Sequence, residues 1–422
     1  MKKIYLVLLA TVALDGAGAG LVMPILPKLL RHVGHSSEFG WQFGLFLSIY
    51  ALMQFICAPL LGSLGDRYGR RPVLLAALAG VTVDYLFMAV APSYWMLLVG
   101  RAIAGIGGAS ISVASAYVAD ITPEDQRAQR FGQLSAAMGA GFIAGPVIGG
   151  VLGDIWVRAP FLAAAALGAL NLLMAVLVLR ESPRAPTASA AADAAARTTA
   201  AAAAATAAVD TEADAATAEP ATLNPFAPLR ALLRFATLRG MLACYAVLAL
   251  VGQIGGTIWV LYGEDKFSWD STTMGLSLAG FGVFHVLAQG MLVGPLTARL
   301  GERATLLVGI VADSTAYILI ALATSGWMAF ALMPLFCVGG IGVPALQALL
   351  SARVGADKQG SLQGVLASVA SLASIGGPLL ISPLYFMSRH TMPGLVWLVG
   401  AACYLLCLPL YLERPRAARL AE

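Results

Sequence analysis

Charged residues are scarce in this chain of 422 residues: Asp, Glu, Lys and Arg together make up 11% of it, whereas hydrophobic residues make up 59%. The mean hydropathy is +0.82, well outside the usual balance of soluble domains. The sequence also lacks the alternation of apolar and polar residues that marks the strands of a membrane barrel. These absences exclude a soluble globular domain and predict an all-α protein of membrane-spanning helices.

Cysteine is equally scarce, and the five cysteines form no CxxC pair and have no metal-binding neighbours. They fall inside apolar runs, where we expect them to be small core residues. The sequence has no phosphate-binding glycine loop, metal cluster or nucleophile triad. We therefore expect no enzyme activity, no bound metal and no cofactor, and no ATP hydrolysis by this chain. The cysteines are Cys57, Cys244, Cys337, Cys403 and Cys407.

Long apolar runs are what the chain has instead. Each is close to the roughly twenty residues that a helix needs to cross a hydrocarbon core about 30 Å thick. Twelve runs are present, which predicts twelve membrane-spanning helices. Numbered in chain order, the runs lie at residues 4–30, 41–63, 72–92, 94–118, 130–154, 158–180, 238–262, 272–297, 304–324, 326–350, 359–384 and 392–412.

Basic residues are distributed unevenly among the connections between the runs. If Lys2 and Lys3 are cytoplasmic, most basic residues of the connections fall on that same side. Such an excess of positive charge is typical of cytoplasmic loops, so we predict that both termini lie in the cytoplasm. The net charge of +4 then reflects topology, and no nucleic-acid partner is expected. The basic residues expected on the opposite side are Lys28, Arg31, Arg158, Lys266 and Arg389.

A change of composition divides the runs into two groups of six. Residues 183–225 are rich in Ala and Thr, with scattered Asp and Glu, and are too weakly hydrophobic for a membrane span. We predict that they form a cytoplasmic linker that is flexible or partly helical. The linker would join an amino-terminal six-helix bundle, residues 1–182, to a carboxy-terminal six-helix bundle, residues 226–422.

The two groups of runs also repeat in sequence. A shift of 232 residues carries Gly69 to Gly301, and the same shift carries the pair Gly107–Gly108 to Gly339–Gly340. It also carries Gly132 to Gly364 and Gly145–Pro146 to Gly377–Pro378. One constant offset over four separate segments indicates a duplication. Parallel six-helix halves related by an axis normal to the membrane, with a central site near the midplane, are the architecture of the major facilitator fold.

The segment GSLGDRYGRRPVLL between runs 2 and 3 resembles the signature loop of the major facilitator superfamily. Its glycines permit a tight turn, Asp66 can bond helix N-termini or a basic partner, and Arg70 can hold acids or carbonyls of the other half. The resemblance implies a cytoplasmic latch that steadies the outward-facing state. A loop that only sets topology is the alternative, but it explains neither Asp66 nor the glycine spacing. The second copy has Ala298 for Asp66 and Glu302 for Arg70. The matching residues are Gly62, Asp66, Arg67, Gly69, Arg70 and Arg71.

Run 5 contains the segment GFIAGPVIGG, which resembles the motif of the drug/proton antiporters. A spacing of four brings glycines onto one helix face and allows close backbone approach, and a proline bends the helix. Plain tight packing is the alternative, because glycine-rich helices are common in membranes. The motif residues are Gly141, Gly145, Pro146, Gly149 and Gly150.

Several ionisable residues lie near the middle of their runs. An ionised side chain at the bilayer centre costs about 2.5–3.5 kcal/mol on insertion scales, so it usually faces a cavity or a partner. Arg101 in run 4 lies at a depth similar to that of Asp84, so the two can pair. His285 and Gln289 in run 8 share a helix face, and the histidine can relay protons. A purely structural role is the alternative for each. The candidate proton or cation sites are Asp15 in run 1, Asp84 in run 3 and Asp313 in run 9.

Phrases similar to those of the tetracycline/proton antiporters occur in order over nearly the whole chain outside the linker. They include LDGAGAGLVMPILP, YALMQFICAPLLGSLGDRYGRRPVLL, VDYLF, GRAIAGIGGAS, VADITPEDQR, FGVFHVLAQ and VADST. The resemblance implies a proton-driven exporter of tetracycline-class drugs in the bacterial inner membrane. The linker does not show the family's interdomain loop, which leaves a multidrug or other small-molecule exporter of the same fold as the alternative. A membrane sensor or scaffold that does not transport is a more remote one.

The resemblance also implies roles for individual residues. It implies that the drug travels as a chelate with a divalent cation such as Mg²⁺, so that the ion belongs to the substrate. The expected partners are the drug, protons and the lipid bilayer. We expect the chain to be a monomer. Proton coupling and cation handling are assigned to Asp15, Asp84 and Asp313, with the help of His285 and with Arg101 beside Asp84. Drug contacts are assigned to Gln54 and Gln289. Asp120 and Arg127, in the phrase VADITPEDQR, join the latch.

Overall fold

The computed structural model describes residues 2–34, 40–108, 110–180, 238–355 and 358–407. Within these ranges the chain is α-helical with short 3-10 segments, and no strand is present in them. The predicted all-α class is confirmed. The linker predicted at residues 183–225 lies outside the described residues, so the division into domains stays a prediction.

Eight helices precede the linker and eight follow it among the described residues. The first eight are α1 (Lys2–Val22), α2 (Leu26–Gly34), α3 (Gly40–Tyr68), α4 (Arg70–Val90), α5 (Tyr94–Gly107), α6 (Ser110–Ile121), α7 (Glu124–Ile155) and α8 (Ala159–Val178). The others are α9 (Arg239–Val251), α10 (Gln253–Phe267), α11 (Ser271–Met291), α12 (Val293–Leu322), α13 (Gly326–Gly339), α14 (Gly342–Ser351), α15 (Gln359–Ser388) and α16 (Leu395–Cys403).

Ten helical segments of the described residues are long and apolar enough to cross a membrane. Two shorter apolar segments, Tyr94–Gly107 and Leu395–Cys407, lie where runs 4 and 12 are predicted. Large apolar side chains such as Leu177 and Leu380, which are 74% and 65% exposed, suit helices whose outer faces meet lipid. The membrane-spanning character is therefore confirmed, while the count of twelve and the cytoplasmic termini stay predictions.

Six of the predicted runs are not single helices in the described residues, which corrects the prediction from sequence. Run 8 is interrupted at Leu292, and run 12 continues from α16 into the 3-10 segment Tyr404–Cys407. Run 1 passes through a 3-10 turn at Met23–Ile25 that contains Pro24. Runs 4, 7 and 10 are interrupted at Gly108, Gly252 and Gly340, where one helix ends just before the next begins. Interrupted helices are tolerated at membrane depth only where other groups satisfy the freed backbone atoms. The interruptions therefore mark places where polar side chains are needed.

The turn at Gly69 gives structural support to the repeat. Gly69 has a φ of 102° and Gly301 a φ of 78°, a region that residues with a side chain rarely adopt. Both glycines follow a helix that runs back to the predicted cytoplasmic side, at equivalent points of the two halves. The tight turn expected at Gly69 is thus present, and its counterpart forms a kink inside α12.

Helices on each side of the linker pack mainly on one another: α1 on α7 and α8, α4 on α5 and α8, and, beyond the linker, α12 on α13, α14 and α16. Two pairs join the halves. Helix α7 packs on α11, and helix α3 packs on α15. We call these two contacts the α7–α11 seam and the α3–α15 seam.

Candidate functional site

Asp84 and Arg101 form an ion pair between α4 and α5. The Arg101 Nη1 atom lies 3.1 Å from Asp84 Oδ2, and Asp84 is 1% exposed. The Arg101 guanidinium lies over the Tyr50 ring at 4.6 Å and over the Phe46 ring at 5.3 Å. The pairing expected from their similar depth is therefore present. Because a guanidinium faces the carboxylate directly, the charge of Asp84 is compensated.

Asp15 belongs to the same polar region. The charges acting on the hydroxyl groups of Tyr50 and Tyr85 come from Asp15, Asp84 and Arg101. Asp15 is partly buried on α1. The first half thus brings three of the predicted charged residues, on three helices, around two tyrosines.

Gln54 and Gln289 donate hydrogen bonds to equivalent carbonyls at the interrupted helices. The Gln54 Nε2 donates a hydrogen bond of 2.9 Å to the carbonyl of Gly108. The Gln289 Nε2 donates one of 3.3 Å to the carbonyl of Gly340. Each amide satisfies a carbonyl at the point where a helix is interrupted. Their role as drug contacts stays a prediction.

The glycine pair Gly339–Gly340 separates the predicted residues of the second half. A Cβ atom at Gly339 would lie 2.6 Å from Asp313 Oδ1, and one at Gly340 would lie 3.6 Å from His285 Cε1. The His285 ring stacks on Phe281 with ring centres 5.7 Å apart. The structure therefore gathers Asp313, His285 and Gln289 around one pair of glycines.

Tyr404 is a partner of Asp313 that the sequence did not indicate. Its hydroxyl donates a hydrogen bond to Asp313 Oδ2, and Tyr404 is 5% exposed. No ion pair among the described residues includes Asp313. Tyr404 follows α16 and is far from α12 in sequence, so no motif points to this contact.

The loop around Gly69 makes a described ion pair within the first half. Arg70 Nε lies 3.3 Å from Asp120 Oδ2 on α6, and the expected contact of Arg70 with acids or carbonyls of the second half stays a prediction. Helix α6 crosses next to α4, which brings the acid of the same half within reach. The surroundings of Gly62 and of the Asp66 side chain lie outside what the structure describes. Three further contacts are Arg71 Nη2 to Val176 O at 2.9 Å, Arg127 Nε to Thr122 O at 3.3 Å, and Arg67 over the Tyr68 ring at 5.4 Å.

The glycines of GFIAGPVIGG face two different helices. Cβ atoms at Gly141, Gly145 and Gly149 would lie closer than 3.0 Å to backbone atoms of α1. A Cβ atom at Gly150 would meet the backbone of Ser271, at the start of α11. Helix α7 is thus wedged between α1 of its own half and α11 of the other. Tight packing is therefore present, and any role of the motif in antiport stays a prediction.

One end of the seam between α7 and α11 is closed by polar contacts. Asp154 Oδ1 accepts a hydrogen bond of 3.0 Å from the Ser271 backbone N–H, and Oδ2 accepts bonds of 2.9 and 2.7 Å from the N–H and hydroxyl of Thr272. Nearby, Arg31 of α2 pairs with Glu264 of α10 at 2.8 Å. We call this set of residues, Arg31, Asp154, Glu264, Ser271 and Thr272, the closed end.

The seam widens steadily away from the closed end. At Gly275 a Cβ atom would lie closer than 3.0 Å to the Pro146 carbonyl; at Gly282 it would lie 2.9 Å from a side-chain atom of Ile143. At Gly139 it would lie 3.9 Å from a side-chain atom of Val286, and at Gly132 and Gly290 it would meet no described atom within 4 Å. By the predicted orientation, the wide end, at Gly132 and Gly290, faces the cytoplasm.

None of the closed-end acids was singled out from sequence. Asp154 and Glu264 lie at the ends of apolar runs, where charged residues are ordinary. The basic residues expected on that side do have partners there: Lys28 donates to the Ser271 hydroxyl, Lys266 to the Ala321 carbonyl, and Arg158 to the carbonyls of Ala89 and Ala91. A cluster of opposite charges at run ends was the only available signal.

Two seams between repeated halves, interrupted helices and polar residues around the interruptions define a polytopic membrane protein of the secondary-transporter type. The sequence model of the Major Facilitator Superfamily matches residues 8–378 and residues 241–422. Tetracycline resistance protein, class C, of Escherichia coli is 47% identical over 410 residues, which cover 96% of this chain and 95% of that protein. The class G protein of Vibrio anguillarum is 44% identical over 420 residues, which cover both chains fully.

The chain therefore belongs to the tetracycline resistance proteins of the major facilitator superfamily, and it is a multi-pass protein of the bacterial inner membrane. Among solved structures, the nucleoside transporter NupG matches with a TM-score of 0.74 at 13% identity, over 98% of this chain and 100% of that one. A bacterial homologue of the human lysosomal transporter Spinster, inward-facing and unoccupied, matches with a TM-score of 0.74 at 16% identity, over 97% of this chain and 95% of that one. These likenesses show the fold.

Proposed function

We propose that this protein exports tetracyclines from the cytoplasm in exchange for protons. The observation that carries the proposal is the identity of 47% to a tetracycline resistance protein over nearly the full length of both chains. The polar residues that we assign to the exchange lie in both halves, with Asp84 beside Arg101 in the first and Asp313 beside Tyr404 in the second. The protein is then a transporter of a drug, with protons and the lipid bilayer as its other partners, and it acts as a monomer without catalysing a reaction.

The shape of the seam supports a path for the drug. The wide end at Gly132 and Gly290 faces the predicted cytoplasmic side, while the closed end blocks the opposite side. A drug entering from the cytoplasm would reach Gln54 and Gln289, which are held at the interrupted helices. Rocking of one half against the other would then open the closed end and release the drug.

Proton coupling needs a group that is protonated from one side and deprotonated toward the other. We assign this role to Asp313, because no described ion pair includes it and a glycine pair places His285 nearby as a relay. Asp84 forms an ion pair with Arg101, so it would stay ionised and neutralise the charge of Arg101 in the first half. Asp15 would complete that site and help to receive the cationic chelate of drug and Mg²⁺, which is substrate.

Drug-dependent proton movement in everted vesicles tests this function. Wild-type vesicles energised with a proton gradient should accumulate tetracycline and release protons when the drug is added. A panel of drugs of other classes, at equal concentration, should give little or no response. Equal responses to several classes would instead indicate a multidrug exporter, and proton-independent uptake would contradict antiport.

The Asp313→Asn variant tests the assignment of the acid. Asn resembles the protonated carboxyl in shape, so the variant should fold but lose gradient-driven accumulation, while exchange of bound drug persists. Gln54→Ala is the matched comparison, because a drug contact should change the affinity and leave the coupling intact. Wild-type accumulation with an unchanged pH profile in Asp313→Asn would remove Asp313 from the coupling role.

A further inference from the structure

Asp84 and Asp313 have partners of different chemistry. Asp84 faces a guanidinium, which carries a permanent positive charge, at 3.1 Å. Asp313 faces the hydroxyl of Tyr404, which is neutral and donates a hydrogen bond. A buried carboxylate beside a guanidinium keeps its charge, whereas one beside a phenol can gain and lose a proton without leaving a buried cation unpaired.

The contact between Asp313 and Tyr404 is not a requirement of the fold. Under the shift of 232 residues, Asp313 takes the place of Val81, and Tyr404 takes the place of Leu172. Val81 packs against Gly107, with its Cγ2 atom 3.3 Å from a Cβ at that glycine, as Asp313 packs against Gly339. The first half therefore fills the same position with two apolar side chains, and the polar pair is particular to the second half.

The surroundings hold both members of the pair in place. The Asp313 carboxyl is bounded by Gly339, since a Cβ there would lie 2.6 Å from its Oδ1 atom. The Tyr404 ring packs beside Tyr317, with ring centres 6.1 Å apart. The Tyr317 hydroxyl is occupied separately, because it donates to the carbonyl of Val251 at 3.1 Å.

No permanently charged group competes with this hydrogen bond among the described residues. The other titratable groups near the carboxyl are Tyr317 on its own helix and Cys337 on α13. His285 of α11 lies beyond the Gly339–Gly340 pair. Cys407 is a further titratable group near Tyr404.

We propose that Tyr404 is a positioning residue that sets the pH range in which Asp313 exchanges its proton, an inference that rests on the proposed drug/proton antiport. A hydrogen bond to an ionised carboxylate is about twice as strong as one to the neutral acid. The Tyr404 hydroxyl therefore favours the deprotonated state and helps Asp313 to release its proton toward the cytoplasm. Without the hydroxyl, the ionised carboxyl, which is partly buried, loses the hydrogen-bond donor that the structure describes for it.

The Tyr404→Phe variant tests the proposal through the pH profile of drug uptake in everted vesicles. We expect the pH at which uptake is half-maximal to rise by about one unit, because a hydrogen bond to a charged group has about that effect on a proton equilibrium. Tyr262→Phe is the matched control, since its hydroxyl, in the same group of aromatic residues, donates to the Ile320 carbonyl at 2.7 Å and does not touch an acid. Its profile should stay in place.

Two results would overturn the role of Tyr404: an unshifted profile in Tyr404→Phe, or an equal shift in Tyr262→Phe. Loss of proton-linked uptake in the wild-type protein would instead defeat the proposed function itself, so the two failures are distinguishable. The pair can also be tested without changing Tyr404. In purified Tyr385→Phe protein, which lacks the hydrogen bond of Tyr385 to Asp265, the infrared band of a tyrosine C–O group should move on acid titration, and it should stop moving when Asp313→Asn is added. A band that moves equally in both proteins contradicts the proposal.

Discussion

The two ends of the α7–α11 seam differ in what holds them. At the closed end, Asp154 accepts three hydrogen bonds from Ser271 and Thr272, and the Pro146 carbonyl touches Gly275. At the wide end, the glycines of both helices meet no described atom of the other half within 4 Å. The two helices are thus joined by directional contacts at the closed end and stand apart at Gly132 and Gly290.

This difference indicates how the molecule can move. The second seam is built alike: the Ser382 hydroxyl donates to the Gly40 carbonyl at 2.6 Å, and a Cβ at Gly44 would meet the Pro378 carbonyl. At the other end of α15, a Cβ atom at Gly360 would meet no described atom within 4 Å. Because few hydrogen bonds close the structure on one side, a modest change in free energy can reverse which side is open.

Gly275→Ala should have the largest effect on the closed end. The added methyl group would collide with the Pro146 carbonyl, which is backbone and cannot rotate away, and overpacking of this kind costs about 1–3 kcal/mol. We expect initial tetracycline uptake in everted vesicles to fall by about tenfold. Gly290→Ala, on the same helix at the wide end, should keep uptake within about twofold of wild type. Equal losses in the two variants would show that the two ends do not differ in packing.

Asp154→Ala should separate the two halves at the closed end, with a smaller effect on tetracycline uptake than Gly275→Ala. It removes three hydrogen bonds that cross the seam, a loss of about 1–3 kcal/mol, so uptake should fall by about fivefold. Distances between spin labels placed across the closed end should lengthen. Asp270→Ala is the control, because Asp270 caps the amino terminus of α11, the helix end that Asp154 contacts, from within its own half. Its side chain accepts a hydrogen bond of 2.7 Å from the Thr273 N–H. Identical distance distributions in the two variants would contradict a cross-half role for Asp154.

Arg70→Ala should reduce tetracycline uptake least of the three variants. Arg70 lies at the end of the molecule opposite to the closed end. Its ion pair with Asp120 is partly exposed, and such pairs contribute about 0–1 kcal/mol. We expect uptake to fall by about threefold while the affinity for tetracycline stays unchanged, since Arg70 lies far from the midplane. A loss of affinity equal to the loss of uptake would place Arg70 in the binding site instead. Arg158→Ala, which changes a basic residue at the opposite end, provides the comparison.

Particular residues show how far the sequence could lead. The pairing of Asp84 with Arg101 was predictable, because helix rise and run boundaries place both at one depth. The turn at Gly69 was predictable from glycine itself. The interruptions at Gly108, Gly252 and Gly340 were not, because many other glycines of the chain lie inside continuous helices, and only tertiary packing decides which ones end a helix.

The partners of Asp313 and Asp154 could not be predicted from the sequence either. Asp313 is 91 residues from Tyr404, and Asp154 is 117 residues from Ser271. Neither pair has a local motif, since each depends on how two distant helices are rotated and shifted against one another. Such rotations are set by close packing of small residues, which in a membrane replaces the hydrophobic effect as the driving force between helices.

By itself, the sequence determined that this protein is embedded in a bilayer and that its halves repeat. It also determined the positions of the apolar runs and which acids lie at membrane depth. Those properties depend on composition and on one-dimensional spacing, which burial in lipid converts directly into helices. Only the tertiary structure decided that Asp313 meets the phenol of Tyr404 and that one end of the α7–α11 seam is closed. Contacts between helices depend on relative rotation and depth, which no single segment of the chain encodes.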